Sequence, residues 1–227
     1  MEDNYEVNVV KKPWGYEYLA YKNKHVALWF LHIKHTHSTS LHCHPKKTTG
    51  LILLDGSAEV SFFNNTNKLT PGNKIMIRKG LFHSTKATSE KGALVFEIET
   101  PVDKNDLVRF RDNYGREGKP YENNTYEIPK KKDCLWIEDP KFNTYKNYKF
   151  ANCTLIVKSI ANISSFLEIN DTNNIIFLKG GLQTDYKQNV AGPGDIVIAS
   201  TIKQLLGVFS KVDPKTVIMI IKPNNEQ

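Results

Sequence analysis

The feature that most constrains this chain is the length and punctuation of its apolar runs. They are short and rich in Val, Ile, Leu, Phe and Trp, and they fall at residues 25–33, 50–54, 58–63, 74–77 and 93–98, then at 154–160, 175–178, 195–199 and 216–221. Turn residues separate them: Asp55-Gly56, Asn64-Asn65, Pro71-Gly72, Lys79-Gly80, Gly180-Gly181 and Gly192-Pro193-Gly194. Short apolar runs at this spacing predict the strands of an all-β sandwich or barrel. No long stretch carries the 3.6-residue period of an amphipathic helix. At most a short helix is expected around 104–113. No apolar run approaches the ~20 residues that span a bilayer, so no membrane partner is expected.

The strand pattern repeats. LILLDG is followed by PGNKIMIRKG in the first half, and IIFLKG by PGDIVIAST in the second. Gly56 then matches Gly180, and Pro71-Gly72 matches Pro193-Gly194. Matched apolar blocks and matched turns together predict two similar β-domains rather than one large one. Between them, residues 114–133 are rich in Asn, Lys, Tyr and Pro and contain no strand-like run, so they read as a connector.

Histidine is distributed unevenly over this repeat. All seven (His25, His32, His35, His37, His42, His44 and His83) lie in the first 83 residues. His42 and His44 flank Cys43. Residues i and i+2 of a strand face the same side, so these two imidazoles can converge on one metal ion, with His83 from a neighbouring strand as a third ligand. Three neutral nitrogens suit Zn, Fe, Mn, Co or Ni and leave positions open for water or substrate. His32, His35 and His37 are placed by their spacing on one strand face, either at the same opening or along an exposed edge. Cys43 faces the other way and is expected in the core. The second repeat has no comparable set: the counterpart of His83 is Leu205, and those of His42 and His44 fall near Phe166 and Glu168.

Charge and cysteine content narrow the context. The net charge is +7, from 31 basic and 24 acidic residues, and the lysines are scattered. The densest run, Lys130-Lys131-Lys132, reads as a solvated loop. No Arg-rich stripe or nucleic-acid motif is present, so no nucleic-acid partner is expected. A mild positive field does suit a small anionic ligand. Three widely spaced cysteines, Cys43, Cys134 and Cys153, make neither a disulfide framework nor a CxxC site. With a charged N-terminal segment that lacks an apolar signal core, the expected compartment is the reducing cytoplasm.

The spacing around the histidines resembles the two motifs of the cupin superfamily, G-x5-HxH-x3–4-E-x6-G and G-x5-PxG-x2-H-x3-N. Here the first runs His42-Cys43-His44, four residues, Thr49, six residues, Gly56. The second runs Gly72, five residues, Arg78-Lys79-Gly80, two residues, His83, three residues, Ala87. A narrower resemblance covers about residues 11–116. The segments KPWGYE (12–17), LHCHPKKTTGLI (41–52) and DLVRFRDNYGR (106–116) are similar, in order, to parts of the sugar-phosphate cupins and type II mannose-6-phosphate isomerases. The chain departs from the superfamily at several points. Thr49 stands for the motif's Glu, usually a fourth metal ligand. Arg78 and Ala87 stand for Pro and Asn, and His35 or His37 for the first Gly. Against the narrower family, His42 stands for Gln, Gly50 for His and Leu51 for Trp.

The resemblance implies two jelly-roll (cupin) barrels. The expected divisions are a metal-competent domain at 1–116, a connector at 117–135 and a degenerate domain at 136–227. It also implies a divalent transition metal held by His42, His44 and His83. Lys46, Arg78, Thr49, Tyr114 and Arg109 are candidates for substrate binding, with Arg116 beside them in a barrel-closing role. Glu97, Glu99 and Lys47 are candidates for proton transfer, although Glu97 and Glu99 alternate on one strand and an outward polar edge is the competing expectation for them. The expected activity is isomerisation or epimerisation of a sugar phosphate or nucleotide sugar. A non-catalytic sugar-binding or regulatory module is the alternative, and a metal-dependent oxygenase a third reading. A homodimer is expected.

Overall fold

A computed structural model describes residues 4–121, 126–127 and 134–224. The chain divides into two compact units, Met1–Ile137 and Glu138–Gln227. Of the connector expected at 117–135, residues 122–125 and 128–133 lie outside the described residues, and the Lys130-Lys131-Lys132 run lies with them.

The first unit contains β1 (Val9–Lys12), β2 (Gly15–Lys22), β3 (Ala27–Ile33), β4 (Leu41–Cys43), β5 (Thr48–Gly56) and β6 (Ala58–Ser61). It continues with β7 (Thr66–Leu69), β8 (Lys74–Ile77), β9 (Ser84–Ala87), β10 (Ala93–Thr100), β11 (Val108–Arg111) and β12 (Tyr126–Glu127). A seven-stranded sheet runs β12-β1-β2-β3-β10-β5-β8, and two smaller sheets run β11-β4 and β7-β6-β9. Among the described residues no sheet closes on itself. One face of the large sheet carries Trp29, Leu31, Leu51, Leu53 and Val95, which pack with Trp14, Ala58, Val60 and Leu69 into a single core. The other face carries Phe30 and Phe96, with ring centroids 4.9 Å apart. Both faces are therefore apolar, which is why these strands read as continuous apolar runs rather than alternating ones.

The second unit contains β13 (Tyr145–Lys149), β14 (Cys153–Ser159), α1 (Ser164–Leu167), β15 (Asn174–Lys179), β16 (Leu182–Gln183) and β17 (Asn189–Ala191). β18 (Ile196–Ile198), α2 (Ala199–Leu206), β19 (Lys211–Val212) and β20 (Val217–Pro223) complete it. Its sheets run β13-β14-β20-β15-β18 and β17-β16-β19.

The repeat seen in the sequence recurs in three dimensions. The order β2-β3-β10-β5-β8 has the same form as β13-β14-β20-β15-β18. The turn following each matched block closes with the same bond: the Gly72 N–H donates to the Leu53 carbonyl at 2.8 Å and the Gly194 N–H to the Phe177 carbonyl at 2.9 Å. Even the irregularity recurs, because the ladder skips Leu54 in one unit and Leu178 in the other. At Gly56 and Gly180 the backbone takes positive φ, +78° and +62°, a region that favours glycine.

Three expectations change. Residues 104–113 form no helix: β11 occupies their end, its residues drawn into pairing with β4. The connector contributes a short strand, β12, paired to β1. In the second unit the run at 195–199 ends as a strand at Ile198 and continues as α2, whose buried Ala199 and Ile202 satisfy the same apolar pattern from a helix.

Candidate metal centre

His42 and His83 are joined directly. The His42 N–H donates to the His83 carbonyl at 3.0 Å, and the His83 N–H to the His42 carbonyl at 2.8 Å. His44 follows two residues on, beyond Cys43, so it returns to the same side as His42. The three rings stand 4.5, 5.0 and 5.5 Å apart between centroids. One ligand nitrogen from each lies within 4.8 Å of the others.

The tautomers follow from the hydrogen bonds. Each Nδ1 faces a backbone carbonyl: Ser40 for His42 at 2.8 Å, Asp106 for His44 at 2.6 Å and Leu81 for His83 at 3.1 Å. A carbonyl only accepts, so each Nδ1 carries the proton and each Nε2 presents a lone pair. The Nε2 of His44 is buried with no hydrogen-bond partner. A buried orphan acceptor is costly, and metal coordination would satisfy it. Carbonyl bonds to the far ring nitrogen are also the usual support behind metal-bound histidine. Burial, the neighbouring imidazoles and Lys47 push His42 well below its ordinary pKa. Burial and Lys47 lower His44 to about 2, and burial lowers His83 to about 4. All three rings are therefore neutral at pH 7 and can ligate without first losing a proton. The residues present fit a divalent transition metal.

A cavity of about 60 Å³ adjoins the imidazoles, with Glu17, Glu97, Glu99, Lys12, Lys47 and Lys104 in its wall. Glu97 and Glu99 are not an outward edge. Both are buried, and carboxylate oxygens of both lie within 4.8 Å of a His44 ring nitrogen. β10 lies between β3 and β5 in its sheet, and both Glu97 and Glu99 line this cavity.

The three carboxylates are matched by three lysines. Lys47 Nζ donates to Glu99 Oε1 at 2.6 Å and to the Asp103 carbonyl at 3.1 Å. Lys104 and Lys12 lie 3.0 and 3.7 Å from Glu17. Tyr121 donates its hydroxyl to Glu17, and the Trp29 indole donates to Glu99. Lys104 Nζ also sits 3.5 Å above the centre of the Trp29 ring. Burial raises the Glu17 carboxyl, but Lys104 and Lys12 outweigh it and hold the pKa at about 2. Burial and the Glu99 charge raise Glu97 to about 7.

Asp106, from the DLVR segment, binds the ligand loop twice: its carbonyl takes His44 Nδ1, and its carboxylate takes the N–H groups of Lys46 and Lys47 at 2.9 Å. Asp112 performs a similar service for the YGR segment, accepting from Tyr114 and Arg116 backbone N–H groups and pairing with the Arg116 guanidinium at 2.7 Å. Arg109 lines the cavity while donating to the Lys119 and Pro120 carbonyls.

Other expected residues lie elsewhere. Arg78 and Lys46 are exposed, with side chains outside the cavity wall. Tyr114 packs on the first core, with its ring facing His37. Thr49 is fully buried outside the wall, its Oγ1 without a hydrogen-bond partner. His32 stacks on Tyr16, His35 and His37 bond backbone carbonyls, and none of them lines the cavity. Cys43 is buried as expected.

Sequence reasoning missed Lys104, Tyr121 and Asp106 as site residues, and read Lys12 and Glu17 only as part of a family segment. Periodicity is silent on lone polar residues far apart in sequence. The one available signal was Glu17 and Lys12, charges in the interior of a hairpin whose other charged residues, Lys11 and Lys22, are exposed.

No family model and no curated protein matches the chain. Among solved structures it is similar to KdgF from a Halomonas species, at 15% identity over 40% of this chain and 84% of that one, with a TM-score of 0.39. It is similar to an uncharacterised protein with a double-stranded β-helix domain from Klebsiella pneumoniae, at 12% identity over 42% and 79%, TM-score 0.39. A third is a putative sugar phosphate isomerase from Acidithiobacillus ferrooxidans, at 17% identity over 35% and 52%, TM-score 0.33.

Proposed function

We propose that the chain is a two-domain cupin whose first unit binds a divalent transition metal through His42, His44 and His83 and isomerises or epimerises a small anionic carbohydrate. The observation that carries this reading is the set of three converging imidazoles, each with Nδ1 tied to a backbone carbonyl. The KPWGYE and DLVRFRDNYGR segments support a sugar phosphate as the substrate class. When bound, the ion polarises a carbonyl or hydroxyl oxygen of the ligand.

The chain's own residues supply the rest. Among the described residues Glu97 has no lysine as close as Lys47 is to Glu99, and its pKa near 7 lets it hold or release a proton at neutral pH. For an aldose–ketose pair it takes the proton from the carbinol carbon beside the carbonyl and returns it to the carbonyl carbon, while the proton of the adjacent hydroxyl passes to the former carbonyl oxygen, so that two protons move and nothing is oxidised or reduced overall. Lys47 holds the Glu99 carboxylate in place at 2.6 Å. Leu31, Leu51 and Leu107 form the apolar part of the wall and limit water around the reacting carbon.

The test is turnover of a panel of aldose and ketose phosphates by protein loaded in turn with Mn, Fe, Co, Ni and Zn. Interconversion of at least one pair, lost in Glu97→Gln with metal content retained, is the expected result. Metal bound without turnover of any member would leave the sugar-binding module in place of the enzyme.

A further inference from the structure

The second unit has a cavity of its own, of about 480 Å³, lined by residues of that unit alone. The strand registers show where it lies. Leu51 pairs with Glu97 in the first unit, and Ile175 pairs with Ile220 in the second. Continuing across both sheets places Ile220 at the position of Glu97 and Lys222 at that of Glu99. Lys158 takes the position of Leu31, and Tyr145 that of Glu17. These four first-unit residues line the metal cavity, and their four counterparts line the second one. The two cavities are therefore the same place on a repeated sheet.

The chemistry has been inverted. Three carboxylates have become an isoleucine, a lysine and a tyrosine, and no imidazole is present. Ile156, Ile169 and Ile220 form an apolar floor, and Asn147, Asn170 and Asn173 bring amides to it. Asn173 is 7% exposed, and its backbone is fixed by its N–H donating to the Asn170 carbonyl at 3.0 Å and by the Ala199 N–H donating to its own carbonyl at 2.9 Å. Lys158 is paired with Glu168 at 3.2 Å, whereas Lys222 has no ionic partner among the described residues. The lining thus carries one uncompensated positive charge. Its volume lies within the usual range of small-molecule sites, about 300–1,000 Å³.

We infer that this second cavity is a metal-independent binding site for a small saccharide bearing one acidic group. The apolar floor and the Tyr145 ring fit the C–H face of a pyranose, the amides fit its hydroxyls, and Lys222 fits its phosphate or carboxylate. The inference does not depend on the chemistry proposed for the first unit.

Calorimetric titration of the full-length His42→Ala chain in chelator tests it, using glucose 6-phosphate, mannose 6-phosphate and glucuronate, with glucose and inorganic phosphate as comparators. At least one acidic sugar is expected to bind, and the two comparators to bind at least about tenfold more weakly. Lys222→Gln, at an exposed position that folding does not require, is expected to weaken binding about tenfold, and Asn173→Ala to weaken it further. The inference is overturned if no acidic sugar binds, if phosphate alone binds as tightly, or if Lys222→Gln leaves the affinity within about twofold.

Discussion

The two units repeat one sheet order and differ in what stands beside that sheet in each. In the first, the segment between β3 and β5 forms β4, which pairs with β11 and sets His42 and His44 over the cavity. In the second, the equivalent segment forms α1, which puts Phe166 into the core and leaves Glu168 exposed. The short loop 78–83 delivers His83 in the first unit, while residues 199–210, containing α2, fill that place in the second. Pairing of Ala58 with Ala87 and of Leu182 with Val212 aligns the following strands. By that register the counterpart of His83 is Val208 rather than Leu205, and its side chain is 77% exposed. A repeated sheet can thus keep its ladder to the single skipped residue while its cup changes from one ringed by three imidazoles, with carboxylates and lysines balanced, to one without imidazoles that carries two lysines against one carboxylate.

The comparison can be broken most easily at the acidic network, which only the first unit has. Glu17→Gln leaves Lys104 and Lys12 buried beside a neutral group, and unfolding is expected to become easier by about 3–5 kcal/mol, measured by chemical denaturation. Tyr145→Ala, at the matching position on an exposed residue, is expected to cost less than about 1 kcal/mol. Equal losses would mean that the network contributes nothing specific.

Acid should act on the same network. Glu17 is held at about 2 against an ordinary 4.5, so its contribution is complete above pH 4.5 and disappears as the pH falls towards 2. The loss is about 3 kcal/mol. Denaturation midpoints followed from pH 5 to pH 2 should show it in the parent chain, and a much smaller slope in Glu17→Gln.

The matched glycines offer a symmetrical check. A Cβ at Gly56 would meet the Gly92 carbonyl oxygen at 2.2 Å, and one at Gly180 the Thr216 Cα at 2.8 Å, both at positive φ. Gly56→Ala and Gly180→Ala should each cost about 2 kcal/mol or more, Gly56→Ala being the worse. If either variant is neutral, the turn is not under the constraint that the repeat implies.

The smallest effect concerns Thr49. Its hydroxyl is buried and unpaired, so Thr49→Val should leave stability unchanged or raise it by up to about 1 kcal/mol, with metal content unchanged. Loss of metal in that variant would add Thr49 to the ligand set.

Much of this was legible in the sequence, for definite reasons. All nine expected apolar runs contain strands, because buried strands concentrate branched and aromatic residues between turn glycines. The shared side of His42 and His44 was legible because i, i+2 spacing fixes one face, whereas His83 reaches them through backbone pairing with His42, which spacing alone does not record. Lys104, Tyr121 and Glu17 meet only after β1, β2 and the segment beyond β10 are assembled, and no local period records that. Arg78 and Lys46 were misplaced because a residue near a ligand in sequence need not point where the ligand points. The switch from strand to helix at Ala199 was hidden because both structures bury the same apolar residues.

The central claim is that one cup of the pair is a metal site and the other is not. Transition-metal content per chain, measured by mass spectrometry after metal loading and dialysis, tests it directly. The account predicts about one ion per parent chain, nearly none in His83→Ala, and an unchanged value in Lys222→Gln. No bound metal in the loaded parent chain, or the same content in His83→Ala, would contradict it.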